Sequence, residues 1–233
     1  MQRRTLLTLT AFPLTACTLQ PLQPLPSQSL GPQASLPAWH EPVIGQKWTY
    51  RVLNMYNGEL VDTVQETLIS VAPHRVLRRH SALHGDLPDE VQSRWGQILQ
   101  DPVWDKTQIY QQPVPLWPDI LKADSRASGY TRYRPQGASY SLWIDVRVRV
   151  MALERIEVAG VVHDTARIHR LIRLEHEDSS RLNYTRSDVL WLSPRIARWA
   201  VRETNGEYWL SGRRPSQLRE DHFRWVLQES HTP

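Results

Sequence analysis

What is scarce in this 233-residue chain excludes whole classes of structure and chemistry. It has a single cysteine, Cys17. No disulfide can form within the chain, and thiol chemistry is confined to one position near the start. It has no apolar run that could cross a bilayer as a helix, which takes about 20 residues; Thr5–Pro13 is the longest moderately apolar stretch. Nowhere does a sustained 3.6-residue period appear, so a helical bundle is excluded. Phenylalanine is rare, 2 against 10 tryptophans, and lysine occurs only at 47, 106 and 122 among 28 basic residues. The tryptophans could be read as a sugar-binding face and the arginines as a phosphate site. Codon bias in a GC-rich genome explains both skews with one cause and is preferred.

The chain starts MQRRTLLTLTAFPLTAC. Arg3 and Arg4 give a basic start, and the apolar run has the length of a secretory h-region, about 7 to 15 residues. Leu14-Thr15-Ala16-Cys17 resembles the lipobox of bacterial lipoproteins. That resemblance implies cleavage between Ala16 and Cys17, a thioether lipid on Cys17 and acylation of the new amine with a palmitate-type chain. Each buried methylene is worth about 0.8 kcal/mol, so several chains anchor firmly where one does not. Arg3-Arg4-Thr5-Leu6-Leu7 also resembles a twin-arginine signal, and the Sec and twin-arginine routes both stay open. Thr18 rather than Asp follows the cysteine, which by resemblance to the enteric sorting rule favours the outer membrane, facing the periplasm; the periplasmic side of the inner membrane is the alternative. Cleavage removes two arginines and no acids, taking the formal net charge from +4 to +2. So small a basic excess does not point to nucleic acid.

Three segments follow: signal peptide 1–16, a Pro/Gln-rich tether 17–42, and one β domain 43–233. In the tether, prolines at 21, 24, 26, 32, 37 and 42 argue against helix and sheet ladder alike, because proline has no amide donor. Strands are expected at 46–56, 59–71, 75–84, 91–99, 140–150, 152–158, 161–175, 184–192, 195–203 and 221–228. Asn57-Gly58 and Asn205-Gly206 read as hairpin turns, as do Gly85–Pro88, Gly160 and Asp178–Ser180. The clearest period of two puts Leu142, Ile144, Val146, Val148 and Val150 on a dry face, with Trp143, Asp145, Arg147 and Arg149 on a wet one. The proline-broken stretch 101–127 is expected to be irregular, with one helical turn near 118–123. The fold class is thus all-β: a strongly curved antiparallel sheet, an open or half β-barrel of about ten strands.

Four segments carry a family resemblance: Val43-Ile44-Gly45-Gln46-Lys47-Trp48-Thr49-Tyr50, then 113–118 (PVPLWP), 154–160 (ERIEVAG) and 189–199 (VLWLSPRIARW). In this order they resemble the TapB-like family of bacterial envelope domains; Ala152 and Ala197 stand where glycine is usual. The resemblance implies a curved sheet similar to the LolA/LolB half-barrel. It implies no activity, since fold analogy does not transfer function.

Candidate sites are few. His80/His84 and His163/His169 share strand faces, but residues i and i+4 lie about 13 Å apart at ~3.3 Å rise per residue, too far for one ion without a third element; no metal and no cofactor is expected. Glu175–Asp178 reads as a solvated hairpin tip. Asp86, Asp89 and Glu90 stand beside Gly85 and Pro88, where a loop is expected, and Ser193 lacks the Gly-x-Ser-x-Gly context of a hydrolase. No enzyme activity is expected. Trp48, Tyr50, Trp143, Trp191 and Trp199 are candidates to line a site for an apolar ligand, with burial in the core as the default. The chain is expected to be a membrane-anchored, non-enzymatic scaffold or interaction module with an envelope protein partner. The alternative is a carrier or sensor of an acyl-chain ligand.

Overall fold

The computed structural model describes residues 23–31, 34–212, 216–220 and 222–233. Ala16, Cys17 and Thr18, on which the leader reading rests, lie outside the described residues. The strands are β1 (Ser27–Ser29), β2 (Lys47–Asn54), β3 (Leu60–Ser70), β4 (Arg75–Ser81), β5 (Gly85–Arg94), β6 (Gln97–Asp101), β7 (Gln108–Pro115), β8 (Arg126–Pro135), β9 (Leu142–Val158), β10 (Val161–Leu174), β11 (Arg181–Ser193), β12 (Arg198–Leu210), β13 (Ser216–Arg219) and β14 (Phe223–His231). Among the described residues there is no α-helix.

All pairings are antiparallel, and the neighbours run β9-β10-β11-β12-β14-β2-β3-β4-β5-β6-β7-β8. β8 then pairs with β9, from Arg126↔Arg149 to Tyr133↔Leu142. The curved all-β sheet expected from the sequence therefore goes one step further than a half-barrel: twelve strands close on themselves. Closure removes the two edges an open sheet would expose. β1 and β13 attach outside the ring, on β9 and β12.

The β9 alternation does what its β-branched residues suggest. Ile144, Val146, Val148 and Val150 are buried while Arg147 and Arg149 are exposed. Dry in and charged out is the reverse of the apolar outer belt of a membrane-spanning barrel. A bulge opposite Arg167/Ile168 leaves Met151 unpaired, which lets one 17-residue strand run where two were expected. Segment 23–31 lies along the outside: the Gln23 carbonyl accepts from Arg224 Nη1 (2.8 Å) and the Leu30 amide donates to the Leu153 carbonyl (3.0 Å). The ladder that prolines should forbid here forms at the proline-free triplet Ser27-Gln28-Ser29, paired with Glu154–Ile156.

One end of the barrel is plugged by aromatic rings. Trp95 comes from the β5–β6 turn and Trp117 from the segment after β7; they join Trp48, Tyr50 and Trp199 in a chain of rings with centroids 6.1–6.5 Å apart. The indoles of Trp48 and Trp95 donate to the Ile196 and Ala197 carbonyls, each at 2.8 Å. Gly96 makes the Trp95 turn possible. Its φ is +85°, and a Cβ there would sit 2.7 Å from Trp117 Cε2. Gly96→Ala is expected to cost about 2–4 kcal/mol, from left-handed strain plus overpacking against a ring already packed on Trp39, Trp95 and Trp199; urea unfolding at constant m-value checks it.

Several local expectations are corrected. Gly85–Pro88 is not a turn but the start of β5, and the strand placed at 91–99 is divided by the Trp95-Gly96 turn. Stretch 101–127 holds a full strand, β7, and no helical turn at 118–123. Pro113 and Pro115 are tolerated in β7 because it pairs with β8 only over Gln108–Tyr110, which leaves both without a β8 partner. β8 itself was not anticipated. Asn205-Gly206 is mid-strand in β12, opposite Ser187 and Arg186. Glycine serves there for close approach, since a Cβ would lie 2.7 Å from Glu220 Oε2 and 3.1 Å from the Tyr184 hydroxyl.

Candidate functional site: the charged interior and its open mouth

Below the tryptophan plug the barrel interior turns ionic. Strand parity brings the residues in. Arg170 shares the inward face of β10 with Ile168 and Ile172, Asp188 shares that of β11 with Leu190, and Arg202 pairs with Leu190 across β12. Two clusters result. In the first, Arg198 donates through Nε to Glu66 Oε2 (2.9 Å), and through Nη1 and Nη2 to the two Glu90 oxygens (3.0 and 3.1 Å). Gln92 Nε2 donates to Glu90 Oε1 (2.6 Å), and Arg79 Nε stands 3.6 Å from Glu66 Oε1. Burial alone would push the Arg198 guanidinium down, but Glu66 and Glu90 hold it above its ordinary value. Burial likewise works to raise Glu90, and Arg198 outweighs it, leaving the carboxyl below the usual range.

In the second cluster Asp188 is the hub. Arg186 Nε lies at 2.9 Å, Arg202 Nη2 at 2.7 Å and Arg170 Nη1 at 3.3 Å. Against the upward push of burial, these three cations hold the Asp188 carboxyl well below the usual range. Asp101 Oδ2 is 3.8 Å from Arg170 Nη2 and accepts a long bond from the Tyr110 hydroxyl (3.4 Å). Charges this deep persist only when paired and hydrogen-bonded.

Above the second cluster the barrel opens into a cavity of about 560 Å³. Arg79, Arg186 and Arg202 contribute to its lining, with Trp104, Tyr184 and Trp225 as aromatic walls. Arg186 stacks over Trp104, its Cζ 4.6 Å from the ring centroid. At the rim the charges pair off: Lys106 with Glu177 (2.7 Å), Arg181 with Glu220 (2.8 Å), and the Tyr184 hydroxyl with Glu220. A second, more apolar groove of about 1130 Å³ lies between residues 29–31 and 34–41, loop 117–123 and the β9 bulge; Leu36, Trp39, Trp95, Trp117, Leu121 and Met151 are among its lining.

The five tryptophan and tyrosine candidates line neither cavity. Trp48, Tyr50, Trp191 and Trp199 are buried, and Trp143 is 37% exposed on the outer face of β9. Of the tryptophans that do border cavities, Trp39, Trp95, Trp104 and Trp117 come from turns and loops, where periodicity carries no signal, and Trp225 comes from β14. His80 pairs with Asp86 (2.9 Å) and His169 with Ser187 (2.7 Å), whereas His163 is buried and His84 borders the mouth. Among the described residues no cluster of three metal-ligand side chains occurs. Glu175–Asp178 is indeed a β10–β11 hairpin tip. Glu90, taken from the sequence as a loop residue, is a β5 residue at the centre of the first ionic cluster.

Fold and contents define a class: a closed antiparallel barrel, plugged at one end, ionic in the middle and open at the other. No protein-family model matches the chain, and no curated protein matches it in sequence. Among solved structures the fold is similar to that of a "putative lipoprotein" from Parabacteroides distasonis ATCC 8503, with a TM-score of 0.50 and 11% sequence identity over 83% of this chain and 99% of that one. Likeness at that identity is a likeness of fold. The TapB-like and Lol-type resemblances rest on the four sequence segments alone.

Proposed function

We propose that this chain is a lipid-anchored protein of the bacterial envelope whose barrel acts as a non-enzymatic scaffold or interaction module. The observation that carries the reading is Leu14-Thr15-Ala16-Cys17, a lipobox-like end to a short apolar leader at the chain's single cysteine. The fold likeness to a protein described as a lipoprotein supports it. The non-enzymatic part is supported by how the interior is used. Glu66, Glu90 and Asp188 are held by arginines, so the buried acids that could do chemistry are spent on ion pairs. Thr18 supports the outer membrane, with the inner membrane as the other address, and the chain reaches either through its acyl anchor. A second reading, a carrier of an apolar ligand, has one observation in its favour: the groove beside Trp39 and Trp117 is large enough for an acyl chain.

The anchor is tested by Cys17→Ala in a bacterial host fed labelled palmitate. The wild type should take up label and sediment with membranes; the variant should carry none and become soluble after a carbonate wash. Label on the variant, or its retention in washed membranes, overturns the anchor. Density-gradient separation of the two membranes decides the address, and lipid mass spectrometry of the purified protein decides between scaffold and carrier.

A further inference from the structure

The barrel interior holds more cation than anion. Arg79, Arg170, Arg186, Arg198 and Arg202 are buried there against Glu66, Glu90, Asp101 and Asp188. Cluster by cluster, the first is balanced: Arg79 and Arg198 face Glu66 and Glu90. The second is not, since Arg170, Arg186 and Arg202 share Asp188 and Asp101. The unbalanced cluster is the one beneath the mouth. An uncompensated buried charge is among the most costly things a fold can carry, and guanidinium cannot shed its proton to escape.

The mouth also gathers unsatisfied polar atoms. Eight buried side-chain nitrogens and oxygens lack a hydrogen-bond partner among the described residues, and four of them belong to side chains that line this cavity: Arg202 Nε, Trp104 Nε1, Asn205 Oδ1 and Arg79 Nε, the last facing Glu66 Oε1 at 3.6 Å, beyond hydrogen-bond reach. Three of the four are donors. Arg79 and Arg202 are each only 3% exposed. The lining as a whole carries Arg79, Lys106, Arg181, Arg186, Arg202 and Arg219 against Asp62, Asp105, Glu177 and Glu220. Glu177 and Glu220 are paired at the rim, and Asp62 accepts from the Ser81 hydroxyl (2.6 Å). Trp104, Tyr184 and Trp225 put aromatic rings among these charges.

We infer that the open mouth is a binding site for a small organic anion, a carboxylate or phosphate head seated against Arg79, Arg186 and Arg202 with a flat apolar body between Trp104 and Trp225. Arginine suits the task because its fork of donors matches an oxyanion and its plane stacks on aromatics. A cavity of this size takes one such molecule. The site is separate from the anchor and from the apolar groove, so it stands or falls without them.

The test titrates the full-length chain with phenyl phosphate, benzoate, inorganic phosphate and neutral phenol, following tryptophan fluorescence and calorimetric heat. Phenyl phosphate or benzoate should bind saturably, with Kd of about 1 mM or tighter, and weaken as salt rises. Phenol should not bind. Benzoate against phenyl phosphate tells which oxyanion is preferred, and inorganic phosphate tells how much the apolar body adds. Arg202→Gln should weaken binding by about tenfold or more. Should that variant not fold, Gln108→Glu decides. It is nearly isosteric, keeps an acceptor for the Tyr110 hydroxyl and adds a carboxylate to the cavity wall, so it should weaken binding by a similar factor at an unchanged circular dichroism spectrum. No saturable binding of either aromatic anion, equal binding of phenol, or undiminished binding by folded Gln108→Glu overturns the inference.

Discussion

Arg198→Met should lower the unfolding free energy by about 3–5 kcal/mol, the range for breaking a buried ion pair from one side. Arg198 is fully buried; its three nitrogens serve Glu66 and Glu90, and its plane lies over Trp199 at 3.5 Å. Methionine keeps most of the stem and its packing, so the loss isolates the charge. Two carboxylates would be left buried with Gln92 and the 3.6 Å contact from Arg79 as their remaining support. Burial, which Arg198 now outweighs, would then push the Glu90 carboxyl up and favour its protonation. Urea unfolding at pH 7 should therefore show a lower midpoint at unchanged m-value, and the deficit should shrink at pH 5, where protonating Glu90 costs less. Adding Arg79→Met, Glu66→Met and Glu90→Met, so that no member of the cluster is left unpaired, should restore much of the loss, because an apolar replacement of a whole buried cluster is often neutral. A deficit below about 1 kcal/mol for the single variant would mean that the barrel does not depend on this cluster.

The parts of the fold that are local in sequence were legible. The turns at Asn57-Gly58, Gly160 and Asp178–Ser180 join the strands they were expected to join, because turn chemistry acts over two to four residues. The alternation of β9 showed its buried face. Asn205-Gly206 misled because the same dipeptide suits a hairpin or a strand approached closely, and Glu220 and Tyr184, which decide between them, come from elsewhere in the chain. Barrel closure was not legible at all: β8 and β9 meet through Tyr133↔Leu142, and nothing in either segment says that the remaining strands curve enough to bring the ring together. The ionic interior left a faint signal that went unread. In Ile168-His169-Arg170-Leu171-Ile172, Arg170 is in phase with the two isoleucines, and Asp188 is in phase with Leu190 and Leu192. A charged residue repeatedly in step with a dry face indicates a buried partner. Trp143, by contrast, was out of step with its own strand's dry face, and it faces outward.

Asp188→Asn should be as damaging as Arg198→Met, about 3–5 kcal/mol, and for the opposite reason. It leaves the shape intact and strips the anion from among Arg170, Arg186 and Arg202. Acid should reveal the same group in the wild type. The folded-state values of Asp188 and Glu90 lie below their ordinary 3.8 and 4.5, because adjacent arginines outweigh the opposing push of burial. A depressed carboxylate binds fewer protons folded than unfolded, so the stability it contributes is present above the unfolded value and is lost as pH falls through the folded one. Wild-type stability should accordingly hold down to about pH 4.5 and fall steeply below it, by roughly 1.4 kcal/mol for each unit of depression. Asp188→Asn has no carboxylate to protonate there, so its acid limb should be shallower; parallel limbs would show that Asp188 is not the group being titrated. The variant also puts the mouth to work. Three guanidinium groups without their anion should draw one from solution, so phenyl phosphate should raise the melting temperature of Asp188→Asn by more than that of the wild type. Equal shifts would separate the ionic cluster from the cavity above it.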